Sequence, residues 1–146
     1  LHLIDQGFAT ESRLDARRCT LDELERAGLL SSVRPGETVL VTAGSRGVGC
    51  MREVLGAVVA AVKQKGATPV ILPAMGSHGG GTAAGQIEVL KHLGQTPETL
   101  GAPIHDRMDP VKIGEADGCP VYADRAAIDQ QVHRLRVGTA EAPFQE

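Results

Sequence analysis

Pro69-Val70-Ile71-Leu72-Pro73-Ala74-Met75-Gly76-Ser77-His78-Gly79-Gly80-Gly81-Thr82 decides how this chain folds. It begins as a short apolar strand and passes into a loop with four glycines and one histidine, and a helix is expected to open near Thr82. Upstream, Thr38-Val39-Leu40-Val41-Thr42-Ala43 followed by Gly44-Ser45-Arg46-Gly47-Val48-Gly49 repeats the design. Val39-Leu40-Val41 shows no polar alternation, the pattern of a strand buried on both faces of a parallel sheet. Between the two strands, Met51, Leu55, Val58, Val59 and Val62 recur at helical spacing, so a helix is expected over about residues 49–65. Lys63 and Lys65 oppose the helix dipole in its last turn, and Gly66 ends it. The result is a βαβ unit, whose crossover is expected to be right-handed. Parallel strands would bring both glycine-rich loops to one carboxyl edge, where open α/β sheets bind ligands.

The flanking segments read less sharply. Residues 1–18 form a mixed polar arm with Arg13, Arg17 and Arg18. Thr20-Leu21-Asp22-Glu23 has the form of a capping box, opening a short amphipathic helix on Leu21, Leu24 and Ala27 that stops near Gly28. Pro35-Gly36 marks a turn. A third helix is expected over about 83–93 with Ile87, Leu90 and Leu93 inward and Gly94 as its stop. Thr96-Pro97-Glu98 supplies a cap, a first-turn proline and an early acidic residue for another short helix. Short strands are expected at Pro103-Ile104-His105, Val111-Lys112-Ile113 and Pro120-Val121-Tyr122. Residues 132–137 alternate apolar and polar side chains as a strand does, whereas 138–146 carry no periodicity. The fold class is α/β, with a mainly parallel sheet, helices on both faces and short extra strands in the C-terminal third. Residues 1–36 form an arm and short helix, 37–130 the main domain and 131–146 an irregular tail.

Composition narrows the function. The chain has 146 residues, enough for one domain with a real core, and 42% are hydrophobic against 23% charged, as in ordinary globular proteins. Aromatics are only 2% with no Trp, so the core must be aliphatic and stacking on bases is disfavoured. A net charge of −3 without a basic patch disfavours nucleic acid as a partner. The longest strongly apolar run, 54–62, is too short for a bilayer, which needs ~20 residues. Leu1-His2-Leu3-Ile4-Asp5 lacks the basic start and apolar core of a signal peptide, and a start without Met suits a processed or trimmed chain. Cys19, Cys50 and Cys119 form no CxxC pair and are odd in number, which points to a reducing cytoplasm rather than a disulfide framework or a zinc site.

Two side chains stand out for chemistry. Arg46 carries a planar fork suited to bidentate binding of a small carboxylate; its alternative is a solvated loop arginine. His78 sits among Gly76, Ser77, Gly79, Gly80 and Gly81, where the backbone can approach a ligand and the imidazole stays accessible as a general base. Its alternative is a capping or packing histidine. His92, His105 and His133 show no metal-ligand spacing, so no metal site is expected from this chain alone. Cys50 at a helix start is read as a small packing residue, and Asp106 and Asp109 as loop acids. The first loop is also similar to the glycine-rich turn of short-chain dehydrogenases, with Ala43 where a glycine belongs. That makes an NAD(P)-binding oxidoreductase one rival reading. Against it, Tyr122 is followed four residues on by Ala126, not by the lysine of that family's catalytic pair. A non-enzymatic module for small anions is the other rival.

Gly44-Ser45-Arg46-Gly47, the run from Pro73 through Gly76-Ser77-His78-Gly79-Gly80-Gly81-Thr82 to Gln86, Gly101-Ala102-Pro103-Ile104 and Gly118-Cys119-Pro120-Val121-Tyr122-Ala123-Asp124-Arg125 together resemble the N-terminal part of the nickel-pincer lactate racemase family, nearest its uncharacterised branch. The resemblance spans about residues 37–130. It implies a Rossmann-like catalytic domain and a racemase or epimerase of 2-hydroxy acids. It implies hydride transfer to a nickel pincer nucleotide derived from nicotinic acid. By it, His78 matches the acid/base histidine and Arg46 the substrate-carboxylate arginine, with Ser45, Ser77, Gly47 and Gly79 helping to bind the anionic group. The family's second histidine, its cofactor-holding lysine and its nickel histidine belong to downstream motifs. Here 131–138 read Gln-Val-His-Arg-Leu-Arg-Val-Gly instead, and His133 matches none of them. The chain is expected to hold at most half an active site, completed by a further domain or by homo-oligomerisation. By itself it is expected not to racemise lactate even with cofactor added; robust turnover in that assay would overturn this.

Overall fold

The computed structural model describes residues 15–45 and 49–128, and the backbone of 132–136. The elements run α1 (Ala16–Arg26), β1 (Thr38–Ala43), α2 (Met51–Gln64), β2 (Thr68–Pro73), a 3₁₀ turn (His78–Gly81), α3 (Ala83–His92), α4 (Pro97–Leu100), β3 (Pro110–Ala116), β4 (Cys119–Asp124), α5 (Arg125–Ile128) and β5 (Val132–Arg136). The chain is mixed α/β around a small parallel sheet.

β1 and β2 pair in parallel from Thr38–Thr68 to Ala43–Pro73, and β5 lies parallel on the other edge of β1. On the outer side of β2, Ile71 donates its N–H to Pro103 O at 2.8 Å and accepts from His105 N at 2.7 Å. The expected strand at 103–105 is thus reduced to a single parallel bridge, Ile71–Ile104. Pro103 suits that border position, where its missing N–H breaks no ladder.

α2 closes the core as its spacing predicts. Met51, Leu55, Val58, Val59 and Val62 are buried with Val39, Val41 and Ile71 of the strands and with Leu90 of α3. Lys65 caps its C-terminus and Gly66 follows at φ +74°, the left-handed conformation glycine adopts readily. α4 forms on the cap signal, with Thr96 accepting from Thr99 N, Pro97 in the first turn and left-handed Gly101 at its end. Among the described residues no helix is long and apolar enough to cross a membrane.

Several expectations need correction. The capping box at Thr20 does not form. α1 starts a turn earlier, where the Asp15 carboxylate accepts from Arg18 N at 2.9 Å, and Thr20 lies inside the helix donating to Ala16 O. Asp is as good a cap as Thr, and Ala-Arg-Arg continues a helix well, so the longer helix wins. Glu23 accepts from Arg26 instead, and that hydrogen bond holds its carboxyl below the usual carboxylate range. On α3, Leu93 is exposed, because the helix ends at His92 and Leu93 is already its cap. The buried face is Gln86 and Leu90, with Val89 partly covered.

In the C-terminal third the two expected extra strands form, as one antiparallel hairpin, β3–β4, separate from the parallel sheet. Asp117 and Gly118, both at positive φ, form its two-residue loop, as Asp-Gly does in tight hairpins. Ile113, Val121 and Tyr122 on this hairpin are exposed. The stretch 131–146, expected to be irregular, contributes β5. The alternation of 132–137 carries it, and pairing with β1 covers an edge that would otherwise expose unpaired backbone.

Truncating Leu55, fully buried between α2 and the sheet, leaves a cavity: Leu55→Ala should lower stability by about 2–5 kcal/mol in urea unfolding. Leu93→Ala, on an exposed cap, should change it by less than about 1 kcal/mol.

Candidate functional site

The in-register pairing of β1 and β2 ends at Ala43–Pro73, and one further bond, Ala74 N to Ala43 O at 2.9 Å, carries the contact into the loops. Both loops therefore leave the same edge side by side, as the sequence predicts. The β2 loop is held at each step. Met75 is buried and anchors its start, and His78 N donates to Met75 O at 3.2 Å to close a turn. The Gln86 side-chain amide, 3% exposed, donates to Gly76 O at 2.8 Å, which ties the loop to α3. Thr82 caps α3 by accepting from Gly85 N, and its hydroxyl reaches Gly79 O, each at 3.1 Å.

Gly79 takes φ +63°, and a methyl group there would overlap the backbone of Gly85 and Gln86. Gly85 is equally constrained, since its own Cβ would strike Gly79 O. The two glycines let the loop lie directly on the first turn of α3, which gives Gly79 a packing reason of its own.

That frame delivers His78, half-buried, to the β1 loop. Ser45 Oγ lies 2.5 Å from His78 Nδ1. The contact joins residues from the two loops that the sequence pairs, and it settles how the ring is held. If Nδ1 carries the proton and donates to Ser45 Oγ, Nε2 keeps a free lone pair and can accept a proton from a ligand. When Nε2 is protonated, the same Nδ1–H bond persists, so Ser45 orients the imidazole in both states.

Ser77 is exposed at the turn beside His78. Arg46 and Gly47 lie outside the described residues, so the carboxylate clamp expected of Arg46 stands beside this pair in sequence only. Cys50 is the half-buried N-cap residue of α2, without a side-chain cap bond. Asp106 is exposed and Asp109 accepts from Arg125 Nε at 2.6 Å. The side chain of His133 lies outside the described residues. Among the described residues, no three His, Cys, Asp or Glu side chains group as a metal site would require.

Sequence reasoning passed over His105. It follows the bridge beside β2, and its Nε2 lies 3.4 Å from Asp124 Oδ1, with the two side chains 20% and 17% exposed. The pair lines a cleft of about 400 Å³ together with Pro73, Met75, Gly76 and Met108; neither Ser45 nor His78 lines it. A second cleft, of about 600 Å³ between α1 and α2, is walled chiefly by Leu21, Leu24, Leu30 and Ala61. No local motif pairs His105 with Asp124. The return of the hairpin brings them together, so only the fold reveals them.

No protein-family model, no curated protein and no solved structure matches this chain.

Two substitutions test this geometry. Gly79→Ala should force the loop off α3 and destabilise the protein by about 2 kcal/mol or more in thermal unfolding, a larger effect than Gly80→Ala, where nothing lies within 4 Å. Ser45→Ala should shift the His78 ring-nitrogen resonances in NMR with a loss of only about 0.5–1.5 kcal/mol in stability. Unchanged ring resonances would mean that the hydroxyl does not hold the imidazole.

Proposed function

We propose that this chain is the N-terminal, Rossmann-like catalytic part of a 2-hydroxy-acid racemase or epimerase of the nickel-pincer type, acting on lactate or another small hydroxy acid. The observation that carries the reading is the Ser45 Oγ–His78 Nδ1 contact, which presents an oriented, half-buried imidazole at the edge shared by two glycine-rich loops. Inverting a carbinol carbon through a keto acid needs a base that removes the hydroxyl proton and returns it. An imidazole held through Nδ1 does both at Nε2.

In this reading Arg46, next to Ser45, binds the substrate carboxylate through its guanidinium fork. Backbone N–H groups of the β1 and β2 loops supplement that charge, and Ser77 lies at the exposed lip. The described residues do not fit a nickel-holding site, since they bring no three ligating side chains together. No step is therefore derived through the cofactor. What this chain contributes is recognition of the acid and the movement of one proton.

Titration calorimetry with lactate tests the reading in the absence of turnover. Lactate should bind the isolated chain, and Arg46→Ala should weaken that binding by about tenfold or more, the loss expected when a charge-assisted hydrogen bond is removed. His78→Gln, which keeps a hydrogen-bonding side chain, should weaken it only a few-fold. Binding indifferent to Arg46→Ala removes the carboxylate clamp. Tight dinucleotide binding that is lost on changing Gly47 would favour an oxidoreductase instead.

A further inference from the structure

The hydrogen bond between Ser45 and His78 can run in either direction. With the ring proton on Nδ1 the imidazole donates, as the hydroxy-acid reading requires. With that proton on Nε2, Nδ1 accepts from the Ser45 hydroxyl at the same 2.5 Å. A serine whose proton already points at an imidazole nitrogen is a nucleophile in waiting, since the ring takes the proton as Oγ attacks. Other described hydroxyls are placed differently: Thr20, Thr82 and Thr99 donate to the carbonyls of Ala16, Gly79 and Gly94, which are far weaker bases.

The surroundings of the pair suit an incoming substrate. Ser45 stands just past Ala43, the last residue of β1, and His78 opens the turn that follows β2, so both lie at the carboxyl edge of the parallel strands. Each side chain is half-buried, fixed yet reachable. Among the described side chains, the polar atoms sealed from solvent without a partner are Gln95 Oε1 and His105 Nε2, and no atom of Ser45 or His78 is one of them. Gly44 precedes the serine, and Gly80 and Gly81 follow the histidine in its turn. Nothing lies within 4 Å of where a Cβ would stand at any of the three, so a carbonyl group can approach along bare backbone.

We propose that Ser45 is a nucleophile activated by His78 and that this pair cleaves esters of short acyl groups. Oγ attacks the ester carbonyl carbon while its proton passes to Nδ1. The tetrahedral adduct collapses, the alcohol leaves with the proton from Nδ1, and the acyl group remains as an ester on Ser45. Water then attacks that ester, gives a proton to Nδ1 and releases the acid as the proton returns to Oγ. Ester and water become acid and alcohol, and no further co-reactant is consumed. A short acyl group fits because neither Ser45 nor His78 lines the two apolar-walled clefts, where a long chain would lodge. The activity goes beyond the hydroxy-acid reading and uses the opposite ring tautomer.

The test is acylation by p-nitrophenyl acetate, followed as release of p-nitrophenolate and by peptide mapping of the acetylated residue. The native chain should release a burst of about one equivalent and carry the acetyl group on Ser45. Ser45→Ala should abolish the burst, and His78→Gln should slow it about a hundredfold or more, the share expected of a general base. Thermal melts establish that both variants fold. Should His78→Gln fail to fold, the map of the native protein decides: acetyl on Ser45 in preference to the exposed Ser31 and Ser32 supports the assignment, and an even spread overturns it. Acetyl confined to lysines or the chain terminus, a burst that survives Ser45→Ala, or equal rates in folded His78→Gln would each overturn it too. Lactate binding forms no bond to Oγ, so a lost burst with lactate still bound removes the acyl activity alone, and lost lactate binding with the burst intact removes the hydroxy-acid reading alone.

Discussion

Six consecutive backbone pairings between β1 and β2 set the geometry from which everything else follows. Because the strands run parallel and in step, from Thr38–Thr68 to Ala43–Pro73, both must be followed by loops at the same edge. Because both are apolar throughout their middle, both must be covered, and the helix between them supplies much of the cover through Leu55, Val58 and Val62. A one-residue slip would invert every side chain of one strand relative to its neighbour and carry Ile71 out of the core. Aliphatic packing and the placing of Ser45 beside His78 are thus two results of a single register.

Rigidity of the β2 loop has a more particular origin. Loops dense in glycine lose much conformational entropy on folding, and this one offsets the loss through contact with α3 and through the buried Met75 at its start. Gly79 against Gly85, Gln86 on Gly76 O, and Thr82 bridging Gly79 and Gly85 form a clasp in which the helix start and the loop fix each other. The imidazole is oriented because the backbone beneath it has little room to move. Racemase-type proton transfer, as proposed here, would exploit that stiffness.

The features legible in the sequence are those encoded by neighbours along the chain. The two core strands, the inward face of α2, the cap at Thr96 and the glycine stops at Gly66 and Gly94 all follow local rules, and all form. The misreadings share a different cause. Thr20-Leu21-Asp22-Glu23 satisfies a local motif, yet Asp15 competes successfully for the same role one turn earlier. Gln86 carries no local signal for burial; it is buried where its amide donates to Gly76 O, a partner that only the fold supplies. Gly79 suggests a ligand approach in sequence, and the fold adds a packing reason that the sequence does not show, its close approach to Gly85. His105 and Asp124 carry no shared motif, and their meeting depends on a hairpin whose docking no periodicity encodes. The guanidinium of Arg46 falls outside the described residues, so that half of the proposed site rests on sequence alone.

The β3–β4 hairpin differs from the rest of the molecule in how it is held. Its pairing is chiefly with itself and α5, and Ile113, Val121 and Tyr122 face solvent. With little aliphatic burial to stabilise it, its free energy of opening falls well below that of global unfolding. Amide protons of residues 110–124 should therefore exchange by a sub-global route that leaves β1 and β2 paired. In each such excursion Asp124 withdraws from His105, so the cleft they line forms and dissolves on the timescale of the hairpin rather than of the whole protein.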